Sequence, residues 1–156
     1  MGQTGYVYPV ISDETLHFTE ALAQNAASAM YNLPLPLALA NKRAIIRAVT
    51  VIAKEGFQPE FNFFASANGV NADPALDKFL GRVLFASTDP EQFAAAGVFR
   101  AYKENLAIPY IDFDTQDSTT PSTLHVVLVN RSATLKSAGA AGDIVALFHL
   151  EPESEY

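Results

Sequence analysis

Apolar residues along this chain recur in short runs with a period of two, separated by Pro, Gly, Asn and Asp. That spacing predicts β-strands, because alternate side chains of a strand share one face. The longest run is RAIIRAVTVIAK, Arg43 to Lys54. One set of alternate positions is Ile45, Arg47, Val49, Val51 and Ala53, and the other is Ala44, Ile46, Ala48, Thr50 and Ile52. Both sets are largely apolar, which predicts a strand covered on both sides. The opposite sheet supplies one cover; a loop, an N-terminal arm or a neighbouring subunit supplies the other. The β-branched Ile, Val and Thr content argues against a helix here.

Other runs follow the same rule. Glu60 to Ser66 places Phe61, Phe63 and Ala65 on one face, and Lys78 to Ala86 places Phe79, Gly81, Val83 and Phe85 on one side. Leu124 to Asn130 and Ile144 to Glu151 flank a small-residue connection with Gly139 and Gly142 as turn residues, so they are expected to form an antiparallel pair. Val98 to Tyr102 and Leu106 to Phe113 are weaker strands, and Pro109 marks an edge or a bulge. One short helix is predicted from Asp89 to Gly97: Asp89 can cap, Pro90 suits the first helical position, and Gly97 can end it. Thr19 to Met30 is alanine-rich, which favours helix, whereas its flanks, Leu16 to Phe18 and Tyr31 to Pro36, read as extended; both assignments stay open, the flanks tipping toward strand.

The sum is about eight strands without alternating helices. This predicts an all-β antiparallel β-sandwich of jelly-roll type with one short helix. An immunoglobulin-type sandwich is the alternative, but its usual tryptophan and cysteine marks are missing. The 156 residues fit one domain. We read residues 1–14 as an extended N-terminal arm, 15–152 as the sandwich and 153–156 as a tail.

Composition changes this picture in one respect. The apolar fraction is 49% and the charged fraction only 17%, against about 25% in an ordinary globular domain. A surface short of charge points to cover by an oligomer, the alternative being a monomer with an uncharged skin. The net charge is −7 and the few cations are scattered, Lys42, Arg43 and Arg47 being the densest group. No nucleic-acid partner is therefore expected. No apolar run is long enough for a membrane helix, and the first residues, MGQTGYVYPVISDE, match neither a signal peptide nor a myristoylation site, so no membrane partner is expected either. The absence of cysteine excludes disulfides, zinc–thiolate sites and cysteine nucleophiles.

Candidate chemistry is sparse. His125 and His149 fall in the two C-terminal strands and could be neighbours across them, with His17 elsewhere; a zinc site would need a further ligand in matching geometry. Asp112, Asp114 and Asp117 in DFDTQD could offer oxygens to Ca²⁺, but the spacing lacks the Gly and distal Glu of an EF-hand. Neither a G-x-S-x-G elbow nor a glycine-rich phosphate loop occurs. Eleven Phe and six Tyr could form a sugar platform, yet the Phe residues occupy alternating strand positions, which suits a core. No catalytic, cofactor-binding or metal-binding residue is assigned, no cofactor is expected, and the chain does not read as an enzyme.

The strand layout resembles the small jelly-roll cement, or decoration, proteins of tailed-bacteriophage capsids. The residues carrying the resemblance are the block LHVVLVNRSATLKSAGAAGDIVALFHLEP (Leu124–Pro152), the block NKRAIIRAVTVIAK (Asn41–Lys54) with FNFFAS after it, and the N-terminal arm containing tyrosine and proline. The resemblance covers most of the chain and transfers no site residue. It implies a structural virion protein, made in the host cytoplasm, that docks on the capsid exterior. It would assemble with itself as a dimer or trimer and bridge subunits of a major capsid protein. The alternative of another class is a carbohydrate- or receptor-binding β-sandwich domain of a virion spike or fibre.

Overall fold

A computed structural model describes residues 10–11, 16–17, 21–35, 43–54, 56–66, 78–92, 97–112, 122–137 and 144–152. Thirteen strands lie among them. They are β1 (Val10–Ile11), β2 (Leu16–His17), β3 (Ala21–Leu22), β4 (Tyr31–Pro34), β5 (Arg43–Ala53), β6 (Pro59–Phe64) and β7 (Phe79–Leu84). Then come β8 (Glu91–Gln92), β9 (Phe99–Lys103), β10 (Ile108–Ile111), β11 (Thr123–Asn130), β12 (Lys136–Ser137) and β13 (Ile144–Pro152). All pairings are antiparallel.

The pairings define a jelly roll. One sheet runs β1-β13-β5-β9-β8, with β2 also on β13 and β10 also on β5; the other runs β4-β11-β6-β7; β3 and β12 form a small pair of their own. The N-terminal pieces β1 and β2 share one neighbour, as do β9 and β10, so each couple behaves as one interrupted strand. Apart from the two-residue edge strand β8 and the separate β3–β12 pair, the chain then has eight strand positions in sequence, ordered 1-8-3-6 in one sheet and 2-7-4-5 in the other. This is the nested Greek-key order of a jelly roll, the fold class expected from the sequence. Val10 and Ile11, within the stretch expected as an arm, pair with Leu150 and His149.

The core lies between the sheets. Phe61 and Phe63 of β6 point inward against Phe148 of β13, edge to face, with ring centroids 5.3 and 5.6 Å apart, and Phe61 also meets Phe85 at 6.2 Å. Leu124, Val126 and Leu128 alternate inward along β11, as do Ile144, Ala146, Phe148 and Leu150 along β13. Where β7 of one sheet meets β10 of the other, a Cβ on Gly81 would lie 2.8 Å from Ile108 Cγ2, so glycine permits the close approach. Buried Asn130 donates to the carbonyls of Leu22 and Thr134 and accepts from Ser132 N–H, pinning the turn after β11.

Four expectations need correction. First, β5 does not keep two fixed faces. Ala48 pairs with His149 but Ile46 pairs with Leu150, leaving Arg47 as the extra residue of a β-bulge. On the other flank, residues 104–107 span the same gap, with Asn105 in the left-handed region at φ 58° and Leu106 N–H donating to the Arg47 carbonyl. The bulge shifts the alternation by one, so Ala44 and Ile46, then Val49, Val51 and Ala53, all turn inward. Much of the apparent two-sided apolarity is absorbed inside one subunit.

Second, Phe79 is not on the side of Gly81, Val83 and Phe85. Phe63 pairs with Gly81 and Phe64 with Phe79, so Leu80 is an extra residue and Phe79 faces outward against Phe64, ring centroids 5.7 Å apart. Third, β11 and β13 are not partners. β11 lies between β4 and β6, and β13 between the N-terminal strands and β5, in opposite sheets; nested Greek-key connections outweigh sequence proximity. Fourth, among the described residues there is no helix. Glu91 and Gln92 form β8 on Arg100 and Phe99, and Asp89 accepts from Ala86 N–H at 2.6 Å, facing back along the chain instead of capping forward. Residues 93–96 of the expected helix lie outside the described residues. A helix of two turns has an unfavourable nucleus and little propagation, so edge pairing wins.

The alanine-rich stretch is extended where it is described. Ala21 and Leu22 form β3, Asn25 turns at φ 62°, and Ala27 bridges Val129. Ser28 Oγ accepts Leu128 N–H at 3.0 Å, standing in for a ladder bond. Pro109 lies on β10, which among the described residues pairs only with β5, next to the 104–107 interruption, as a proline in a sheet requires.

Candidate interaction surface

Of the titratable residues singled out in the sequence, the structure brings His125 and Asp112 together and keeps His149 apart. His125 lies on β11 and His149 on β13, in different sheets. His125 is 3% exposed, with Nδ1 2.7 Å from Asn32 Oδ1 and Nε2 4.0 Å from Asp112 Oδ1. Asp112 is 2% exposed, and its other oxygen accepts Thr123 N–H at 3.0 Å. Its carboxylate therefore fastens the chain between β10 and β11, where the two sheets exchange. Tyr110 strengthens the same spot by donating its hydroxyl to the Thr123 carbonyl. Asp114 and Asp117 lie outside the described residues. Among the described residues, no three His, Asp or Glu are grouped as a metal site. Partial burial holds the His149 imidazole below its ordinary pKa.

The outward face of the four-stranded sheet has a different character. Register fixes its rows: Asn32, His125, Phe64 and Phe79 across one end; Val127, Asn62 and Arg82 across the middle; Val129, Glu60 and Leu84 beyond. Phe64, Val127 and Val129 are buried and pack with Met30 as a second small core on the outside of the sandwich. They floor a shallow groove of about 410 Å³, with Phe79, Arg82, Arg131 and Ala27 around it. Phe79 at its margin, and Leu84 on the same face beside Glu60, are each 44% exposed.

Glu60 sits under this face. Burial alone would raise its pKa, but hydrogen bonds from Arg131 and Asn62, with the charges of Arg131 and Arg82, outweigh burial and hold the carboxyl below its ordinary value. Arg131 Nε donates to Glu60 at 2.9 Å and its NH1 to Asn25 Oδ1 at 2.9 Å, while Asn62 donates to Glu60 at 3.1 Å. Among the described residues the groove therefore presents two guanidinium groups against one shielded carboxylate, in a chain of net charge −7.

The outward face of the larger sheet is more polar: a depression of about 450 Å³ there is lined by Arg47, Ala48, Tyr102, Glu104 and Asn105. Val145, Ile52 and Arg100 form one row, and Leu147, Thr50 and Tyr102 the next. Ile52 is 39% and Tyr102 41% exposed, and Arg100 lies over the Tyr102 ring, 5.0 Å from its centroid. Arg47, the bulge residue, forms an exposed ion pair with Glu151. A separate cleft of about 380 Å³ at one end of the sandwich is lined by Phe57, Ser87, Phe99, Ser132, Thr134 and Lys136 among others, and among the described residues no His, Asp or Glu lines it.

Sequence reasoning foresaw the apolar strands but not this groove. Phe79 read as sharing a side with Gly81, Val83 and Phe85, and the extra residue at Leu80 turns it outward onto Phe64. The cations Arg82 and Arg131 carry no motif.

No family profile and no curated protein sequence matches the chain. Two solved structures are similar to it in fold. One is described as the crystal structure of the infectious bursal disease virus VP2 subviral particle, at 12% identity and a TM-score of 0.36, covering 93% of this chain and 32% of that one. The other is a structure of the Gt strain of infectious bursal disease virus, at 9% identity and a TM-score of 0.34, covering 92% of this chain and 29% of that one. The chain thus spans about a third of the length of these neighbours. Likeness at this level carries no functional inference. The chain itself forms an antiparallel jelly-roll sandwich with an apolar, cation-rimmed groove on one outward face.

Proposed function

We propose that this chain is a structural protein of a virus particle that decorates the capsid exterior. It associates with itself as a dimer or trimer and bridges subunits of a major capsid protein. The observation that carries this reading is the outward face of the four-stranded sheet, where Phe79 and Leu84 are each 44% exposed and Phe79 borders a groove whose floor, Phe64, Val127 and Val129, is itself buried. Apolar surface of that kind marks a place where another surface sits. The low charged fraction supports the same reading, as does the resemblance of the strand blocks to capsid cement proteins. A rigid sandwich suits the role, because little ordering entropy is lost on docking and many weak identical contacts add up on a lattice. The role needs no cofactor, and we read the chain as non-enzymatic.

The test is co-sedimentation of the purified protein with shells assembled without it. Saturable binding at a fixed ratio to the shell protein, with raised resistance of the shell to heat, is expected. Absence of binding at every ratio overturns the proposal. The rival reading, a sugar-binding spike or fibre domain, requires exposed aromatics gathered in one groove. Phe79 and Tyr102 stand on opposite outward faces, which disfavours it.

A further inference from the structure

We propose that the groove on the four-stranded sheet receives an acidic protein segment carrying aromatic or aliphatic side chains, supplied by a partner other than a second copy of this chain. This rests on the shell-docking reading for the identity of the partner, and on the groove alone for its chemistry.

The floor and the rim ask for different things. Val127, Val129 and Phe64 offer an apolar floor, extended at one end by the half-exposed ring of Phe79. Arg82 stands in the middle row on the β7 side, and Arg131 closes the far end. The one carboxylate among the described lining residues, Glu60, is buried beneath Arg131 and Asn62 and is matched by them. Among the described residues lining the groove, two guanidinium groups less one carboxylate leave a single excess positive charge, on a chain whose total is −7. A guanidinium recognises carboxylates in a planar, two-bond manner, so acidic side chains suit the rim while apolar side chains fill the floor.

Charge also decides between occupants. Two copies meeting through this face would bring like charge against like charge, which disfavours a symmetric pair. A nucleic acid would have to approach an acidic molecule whose cations are scattered. An acidic, partly apolar protein segment meets neither objection.

The test uses the whole chain and a random glutamate–tyrosine copolymer as probe, with polyglutamate and an oligothymidylate as comparisons. We expect the copolymer to bind more tightly than polyglutamate and to weaken as salt rises. We expect Arg82→Glu to reduce its affinity about tenfold and Phe79→Ser severalfold, with Arg100→Glu on the opposite face leaving it unchanged. Both variants replace exposed side chains, and an unchanged unfolding midpoint verifies that they fold. The inference is overturned if the copolymer does not bind, if Arg100→Glu weakens it as much as Arg82→Glu, or if the oligothymidylate binds equally well. Self-association of the chain that Arg82→Glu abolishes also overturns it, by giving the face to a second copy. Shells that bind the wild type and the Arg82→Glu variant alike remove this inference and leave the decoration reading standing. Shells that bind neither, alongside a copolymer that binds at the groove, remove the decoration reading and leave the groove chemistry.

Discussion

The two outward faces of the sandwich are built from similar β-branched and aromatic strands, yet they resolve their apolar content differently. On the larger sheet, the bulge at Arg47 moves Val49, Val51 and Ala53 inward, and what remains outside is Ile52, Thr50, Val145 and Leu147 among exposed charges. On the smaller sheet, the extra residue at Leu80 does the reverse and carries Phe79 outward onto Phe64. One irregularity conceals apolar surface and the other creates it. A one-residue shift exchanges the two sides of a strand, so the face with the more apolar sequence is not the face with the more apolar surface.

This contrast makes stability predictions that can break it. Phe64→Ala removes a buried ring from the outer face of the smaller sheet and should cost about 3 kcal/mol. Ile52→Ala, on an exposed position of the larger sheet, should cost less than about 1 kcal/mol. Urea unfolding midpoints of the two variants check this, and equal losses would mean that the faces are energetically alike. The ion pairs should differ in the same sense. Arg131→Ala strands the buried Glu60 carboxylate and should cost about 2 kcal/mol. Arg47→Ala removes an exposed partner of Glu151 and should cost no more than about 0.5 kcal/mol, fading further with salt. Comparing both variants at low and high salt sharpens the distinction.

The smallest expected effect is the pH response. Partial burial lowers the His149 pKa in the folded chain, so the unfolded chain takes up its proton first. Stability should therefore fall as pH drops through the ordinary histidine value of 6.5, and His149→Gln should remove that step. The lowered pKa of Glu60 acts in a lower window: its contribution is complete above the ordinary carboxyl value of 4.5 and is lost as pH falls below it. Thermal unfolding across this range should show a His149-dependent step from the larger sheet first, then a Glu60-dependent step from the smaller one.

The legible part of the fold was the set of strands. Runs such as Phe61 to Phe64 and Leu124 to Asn130 alternate in sequence because alternate side chains share a face, and they appear in the structure within a residue or two of where the pattern puts them. Asp112 stood in an acidic run that could offer oxygens to a cation, and the sequence could not say what lies across from it; the fold sets it against Thr123 N–H and His125. The expected helix at Asp89 had good local signals and lost to pairing with a strand that local signals do not reveal. The groove was invisible for a related reason. Its residues come from β6, β7, β11 and the stretch beside β4, and they meet only through register.

The sequence by itself determined an all-β domain with no thiol chemistry, a greasy interior and a sparsely charged skin, because composition and a period of two are properties of the chain alone. The tertiary structure decided which greasy residues stay inside. Each bulge inserts one residue whose position depends on the neighbouring strand, and the side of every residue beyond it follows from that insertion.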